Sequence, residues 1–258
     1  MRLIDTHTHL YDEAFDTDRE IVLHRVRQAG VCKCVLPAID KSYYARESEF
    51  AECHRGFAYE AMGLHPTSVQ LEWQGELEFV MQRLEENPAR YKAVGEIGLD
   101  GYWSREFMEE QMHVFREQLL LSIKYDLPVI IHLRDATDEF YSVMNSIPKS
   151  RLRGVLHAFT GSVETYRRVK QYGEFKVGIG GVVTYKKASV AQTLTEIPIR
   201  DILLETDSPW LTPVPFRGRR NESSYITYIA EKIAEIKGAD IEEVAETTSL
   251  NAEELFGI

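Results

Sequence analysis

The sequence predicts an α/β fold of the (β/α)8 barrel type. Three observations lead there. The chain has 258 residues, close to the roughly 250 of that architecture. Eight short apolar runs recur along it, at residues 3–4, 31–39, 57–64, 92–99, 127–133, 153–159, 175–179 and 201–206. Amphipathic, helix-period segments lie between them. Most runs are continuous and β-branched rather than alternating, as parallel strands covered on both faces require.

Each element has its own justification. The first run, Leu3-Ile4, passes into Asp5-Thr6-His7-Thr8-His9. That is not the glycine-rich phosphate loop a doubly wound open sheet would want after its first strand. Residues 18–29 then place Ile21, Val22, Val26 and Ala29 on one helical face. The third run closes in Gly63-Leu64-His65-Pro66, and the fourth in Gly95-Glu96-Ile97-Gly98-Leu99-Asp100. Residues 111–125 carry Val114, Phe115, Gln118, Leu119 and Ile123 at helical spacing. The fifth run ends in His132-Leu133-Arg134 and the sixth in His157-Ala158-Phe159. Ser162 is a natural N-cap for a helix over 162–172. The eighth run ends in Glu205-Thr206-Asp207, and two closing helices follow at 224–237 and 241–256. No Pro/Ser-rich linker divides the chain, so residues 1–258 read as one barrel domain.

Composition narrows the classes. Hydrophobic residues are 44% and charged residues 28%, ordinary globular values that exclude disordered and collagen-like chains. No apolar run approaches the ~20 residues of a membrane span, and Asp5 interrupts any apolar signal core at the start. Cys32, Cys34 and Cys53 lack a zinc-ribbon spacing and read as reduced thiols of a cytoplasmic protein. Thirty basic against 41 acidic side chains give a net charge of −11. That disfavours nonspecific coating of nucleic acid, yet allows a local cationic patch. No obligate protein partner is implied.

The chemistry-bearing residues fall at strand ends. Carboxyl ends of barrel strands meet at one face, where catalysis sits in this architecture. His7 and His9 are two apart, so an extended strand points both imidazoles to the same side. His132 and His157 end neighbouring strands. Glu96 ends the strand beside His132 and is long enough to bridge two ions. Asp207 ends the eighth strand, which closes the barrel beside the first. Four histidines and two carboxylates suit a pair of divalent ions such as zinc or manganese, with magnesium also admissible, better than a calcium cage. A lone strand-end histidine is ordinarily a hydrogen-bonded loop residue; six metal-capable residues at strand ends are not explained that way. His24, His54 and His113 fall in helical segments without a chelating partner and receive no role. His65 reads as a phosphate or transition-state contact. Asp5 and Glu205, each two residues before a ligand, could orient ligands or be ordinary buried carboxylates.

The rim adds substrate candidates. Arg217, Arg219 and Arg220 follow the eighth strand in the segment Phe216-Arg217-Gly218-Arg219-Arg220-Asn221-Glu222. They suit phosphate, or pair with acidic neighbours such as Glu222. Arg134, two residues beyond His132, is a further anion contact. Tyr102, Trp103, Phe159, Trp210 and Phe216 also follow strand ends, and rings beside cations are the ingredients of a groove that stacks bases. Tyr102, Trp103 and Phe159 are the better candidates among them.

These residues in this order resemble the TatD-type deoxyribonuclease family of metal-dependent hydrolases, from Leu3 to the carboxyl terminus. The matching segments begin with Ile4-Asp5-Thr6-His7-Thr8-His9-Leu10 and include those around His65, Glu96, His132 and His157. They end with Glu205-Thr206-Asp207-Ser208-Pro209 and Arg217 to Glu222. The resemblance implies a dimetal site held by His7, His9, Glu96, His132, His157 and Asp207. It also implies hydrolysis of DNA phosphodiesters, as a 3′–5′ exonuclease on single strands. Ala158, Phe216 and Ser223 depart from the family pattern, which usually has Cys, His and Pro there. No lysine ends the fourth strand, so Glu96 must bridge. The mechanism expected is two-metal hydrolysis with Asp207 as general base, assisted by His65. Two other readings compete. A dimetal hydrolase of a small ester, lactone or amide would use the same bowl. A noncatalytic metal-binding protein would not need the acid/base candidate.

Overall fold

The structure, a computed structural model, describes residues 1–148 and 152–258. It is a (β/α)8 barrel. The strands are β1 (Leu3–Asp5), β2 (Val31–Leu36), β3 (Ala58–Glu60), β4 (Val94–Asp100), β5 (Val129–Arg134), β6 (Leu152–Leu156), β7 (Gly173–Ile179) and β8 (Ile202–Leu204). All pair parallel, β1 to β3 in one run and β4 to β8 in another. Backbone hydrogen bonds join the two runs into a ring. Met62 N–H donates to Ala93 O at 3.0 Å and Gly95 N–H to Met62 O at 3.0 Å. On the other side Thr6 N–H donates to Leu204 O at 3.0 Å and Asp207 N–H to His7 O at 2.9 Å. The second seam ties the first proposed ligand to the last through their own backbone.

The helices are α1 (Arg19–Gln28), α2 (Tyr44–Cys53), α3 (Trp73–Glu86), α4 (Met108–Tyr125), α5 (Thr137–Ser146), α6 (Val163–Val169), α7 (Val190–Leu194), α8 (Ile226–Lys237) and α9 (Ile241–Phe256). Periodicity anticipates α1, α4, α6, α8 and α9. Ser162 caps α6 as expected, its hydroxyl accepting from Thr165 N–H at 3.2 Å. Periodicity does not single out α2, α3, α5 and α7. In α2 the buried face includes the carboxylate Glu47 beside Phe50 and Ala51, which blurs the apolar stripe. The helix α7 is only five residues long, barely more than one turn.

Two layers of core result. Outside the barrel, strand and helix side chains form the main cluster, with Phe15, Phe115, Phe140 and Phe175 fully buried. Inside it, Ile4, Val35, Ala61, Ala93, Ile130, Val155 and Leu203 pack on Ala252, Leu255 and Phe256 of α9. The end of α9 thus plugs the amino-terminal mouth. Side chains alternate along a strand, so two residues beyond Ile130, Val155 and Leu203 the same inward positions hold His132, His157 and Glu205. The apolar floor therefore hands over to a polar layer at the opposite mouth. Among the described residues no helix is long and apolar enough to cross a membrane.

Candidate metal centre

The six strand-end residues converge at that mouth, and Glu96 lies at their centre. Its Oε2 is 3.1 Å from His7 Nε2, and its Oε1 is 2.9 Å from His132 Nδ1 and 4.0 Å from His157 Nε2. Asp207 Oδ1 lies 3.7 Å from both His7 Nε2 and His9 Nε2, and 3.8 Å from His157 Nε2. His7, His9 and Asp207 thus form one donor set, and Glu96 Oε1 heads a second toward His132, with His65 and His157 farther from it. His7 and His157 stack with centroids 3.4 Å apart at 15°. Apart from Asp207 and His132, these side chains are almost wholly buried.

Hydrogen bonds beneath the donors select which nitrogen faces the mouth. Tyr11 O–H donates to Pro37 O at 2.6 Å, so its oxygen accepts from His9 Nδ1 at 2.8 Å and leaves His9 Nε2 unprotonated. His132 Nε2 donates to Asp100 Oδ2 at 2.9 Å, which leaves Nδ1 toward Glu96. Glu205 Oε1 accepts from Ala158 N–H at 2.6 Å and lies 3.0 Å from His157 Nδ1. The histidine contact is within ionic reach but out of hydrogen-bond alignment. Only a hydrogen fits at position 178, because a Cβ there would meet Glu205 Oε2 at 2.0 Å. Asp5 accepts from the backbone N–H of Thr206 at 3.0 Å and of His7 at 3.3 Å, and from Thr206 Oγ1 at 2.6 Å. It thereby clamps both strands that carry the first donor set.

The donor set fits divalent metal. His7 Nδ1 is buried without a hydrogen-bond partner and Nε2 faces Glu96 Oε2 at 3.1 Å out of hydrogen-bond alignment, a costly state for an imidazole unless something else takes its lone pair. Burial lowers the pKa of His7, His9 and His157, favouring the neutral form that ligates. Burial alone would raise Glu96, but the imidazoles of His65, His7 and His157 hold it well below the carboxylate range. Burial raises Asp207 to about 7, with His157 opposing and Glu96 and Glu205 reinforcing it. Burial likewise lifts Glu205 and Asp5 to about 7 each. Burial works against a charge on His132, yet the bonds to Asp100 and Glu96 prevail and push it up to about 9.

His65 stands at the edge of this cluster. Thr67 N–H donates to its Nδ1 at 3.2 Å, so Nε2 carries the proton and faces Glu96 Oε1 at 3.4 Å. In that tautomer it is a donor aimed into the mouth, grouped with Glu96 and His132. His24, His54 and His113 lie outside the site, on α1, at the end of α2 and on α4. Arg134 and Tyr102 meet on the rim, the guanidinium 3.5 Å above the ring, with Trp103 at 5.8 Å. Arg217 is exposed and lies 4.5 Å over Tyr185.

Two rim residues are placed otherwise than expected. Arg220 is engaged within the protein. Its guanidinium is bidentate on Asp18 at 2.9 and 2.7 Å, donates to Ala14 O and packs over Phe15. Phe159 is only 5% exposed, so its ring belongs to the core and offers no stacking face. Glu222 pairs with Arg25, not with a neighbouring arginine. Sequence pattern assigns Tyr11 no role, and Asp100 appears in it only within the motif around Glu96. Tyr11's place two residues after His9 and Asp100's at a strand end were the available signals.

Comparison with known proteins agrees with this architecture. Residues 4–257 match the family model described as TatD related DNase. An uncharacterized metal-dependent hydrolase of Bacillus subtilis, YabD, is 38% identical over 99% of both chains. A protein of Erwinia amylovora named 3′-5′ ssDNA/RNA exonuclease TatD is 31% identical, covering 99% of this chain and 100% of its own. The crystal structure of the Escherichia coli TatD homolog YjjV superposes with a TM-score of 0.91 at 33% identity. It covers 100% of this chain and 98% of the other.

Proposed function

The chain belongs to the TatD-related DNase family of metal-dependent hydrolases, and on that premise we propose that it hydrolyses phosphodiester bonds of single-stranded DNA from the 3′ end. The observation that carries the hydrolytic part is Glu96, whose two oxygens face separate nitrogen sets. The relative named as an exonuclease and the cationic, aromatic rim support the choice of nucleic acid.

His7, His9 and Asp207 would hold one divalent ion, His132 and His157 a second, and Glu96 would bridge. Zinc, manganese and magnesium are the candidates. Such ions supply Lewis acidity, bringing the pKa of water toward neutrality and neutralising charge that grows on the phosphoryl oxygens. Asp207 Oδ1, in reach of three imidazoles, would accept the proton of the attacking water. His65 Nε2–H donates toward the developing oxyanion. Arg134 presents its N–H edge to a neighbouring phosphate while its face rests on Tyr102. Tyr102 and Trp103 are 54% and 72% exposed, free to stack a base.

The test is a screen of metal-loaded protein on end-labelled single-stranded DNA, duplex DNA, RNA and simple carboxylic esters, lactones and amides. The proposal expects stepwise release of mononucleotides from the 3′ end of single strands. Turnover of esters, lactones or amides with intact DNA would establish the small-molecule reading instead.

A further inference from the structure

Two and three strands round the mouth from β5, whose end carries Arg134, the β7 and β8 ends build a second cationic surface. The segment after β7 reads Thr184-Tyr185-Lys186-Lys187, and both lysines are exposed. The segment after β8 carries Arg217 and Arg219, also exposed. Among the described residues none of these four cations has a carboxylate within ion-pair distance. Such unpaired clustering is notable in a chain with 41 acidic residues. Neighbouring arginines behave differently, since Arg220 is spent on Asp18 and Arg25 on Glu222.

The two segments are fastened to each other. Tyr185 O–H donates to Thr212 O at 2.9 Å, and Val214 N–H donates to Thr184 Oγ1 at 2.9 Å. The guanidinium of Arg217 lies 4.5 Å over the Tyr185 ring. Gly181 packs so closely that a Cβ there would sit 2.1 Å from Leu211 O. This is a braced platform, not two independent loops. Its inner edge reaches the metal centre through Trp210. Trp210 N–H donates to Asp207 O at 2.8 Å, and Asn221 Nδ2 donates to Trp210 O at 2.6 Å. The Trp210 ring is 5.0 Å from that of His9, yet 47% exposed.

We infer that the Lys186–Lys187 segment, with Arg217, grips the phosphates of a single-stranded nucleic acid on the β7–β8 side of the mouth, with Trp210 offering a base-stacking face between that grip and the metals. The inference rests on the proposed nuclease reading and adds to it. The strand is held on both sides of the metal centre, by Arg134 and Tyr102 on one and by this platform on the other. A row of cations beside an aromatic face matches a phosphate backbone with stacked bases. It does not match a compact neutral substrate, which would leave these cations idle.

The experiment measures binding and cleavage separately for wild type and Lys186→Ala/Lys187→Ala. Binding of a fluorescent oligodeoxynucleotide dodecamer to chelator-treated protein is followed by anisotropy across a salt series. Each lost phosphate contact lowers the slope of log affinity against log salt by about 0.7 for single strands, so two lysines lower it by about 1.4. Cleavage by manganese-loaded protein is compared from dinucleotide to dodecamer, and the loss in kcat/KM should grow with length to about ten-fold, the scale expected for two contacts. An unchanged salt slope, absent dodecamer binding, or a loss equal at every length overturns the inference while leaving the nuclease reading to stand on its own cleavage data. Lysine-dependent binding without cleavage of any oligonucleotide upholds the platform and removes the nuclease reading.

Discussion

Asp100→Asn isolates how the chain prepares its second donor set. Asp100 Oδ1 accepts the backbone N–H of Tyr102 at 2.9 Å and of Trp103 at 3.1 Å, while Oδ2 faces His132 Nε2 at 2.9 Å. An asparagine keeps its oxygen on the two backbone donors, so its NH2 falls opposite His132. A donor there drives the imidazole proton to Nδ1, the nitrogen that faces Glu96 Oε1 at 2.9 Å. The lone pair needed for ligation is then lost. Partners of this kind are worth about 10–100-fold in metal affinity, which is about 1.4–2.7 kcal/mol. Calorimetric titration of chelator-treated protein with zinc should show two binding events in the wild type. In Asp100→Asn the event assigned to His132 and His157 should weaken by that factor, and the other should hold. The unfolding midpoint checks the fold, because the backbone contacts survive. Two wild-type affinities in the variant would refute the orientation argument.

Three further outcomes follow from the geometry. Asp207→Asn should reduce turnover by about 10²–10⁴-fold, the range for a lost general base. It should leave the unfolding midpoint nearly unchanged, because Asp207 sits at φ 57°, a conformation asparagine adopts readily; hydrolysis rates and melts are read side by side. Arg220→Ala should cost about 0.5–1 kcal/mol of stability through the lost Asp18 pair, with little change in the salt slope for DNA; urea unfolding and anisotropy measure the two. Asp5 rises from 3.8 to about 7 on folding through burial, so the folded chain holds a proton there that the unfolded chain releases. Relative to Asp5→Asn, wild-type stability in chelator should fall as pH rises from about 4 through about 7 and then level off. A constant difference across that window would remove the buried-carboxylate explanation.

The convergence of the six candidate ligands was legible because they lie at strand ends and the barrel sends all such ends to one mouth. Spacing alone paired His7 with His9, and the closing of β8 on β1 brought Asp207 beside them. What escaped depends on contacts that no local pattern encodes. Arg220 looks like a phosphate ligand in sequence, but its partner Asp18 lies 202 positions away. Phe159 follows a strand end like Tyr102, yet the chain folds it under the rim and leaves Tyr102 outside. Asp100 sits inside a recognised motif, but its role appears only when β4 and β5 align it with His132. Lys186 and Lys187 read as an ordinary surface pair until Tyr185 and Thr184 fasten them to the Arg217 segment. Helix α2 was hidden by Glu47, a carboxylate at a core position.

Anomalous diffraction from crystals grown with manganese tests the central claim most directly. Two peaks are predicted on opposite sides of the Glu96 carboxylate. One should lie among His7, His9 and Asp207, the other against His132 Nδ1 and His157 Nε2. A single peak, or peaks remote from Glu96, would contradict the bridged two-ion centre on which the proposed hydrolysis depends.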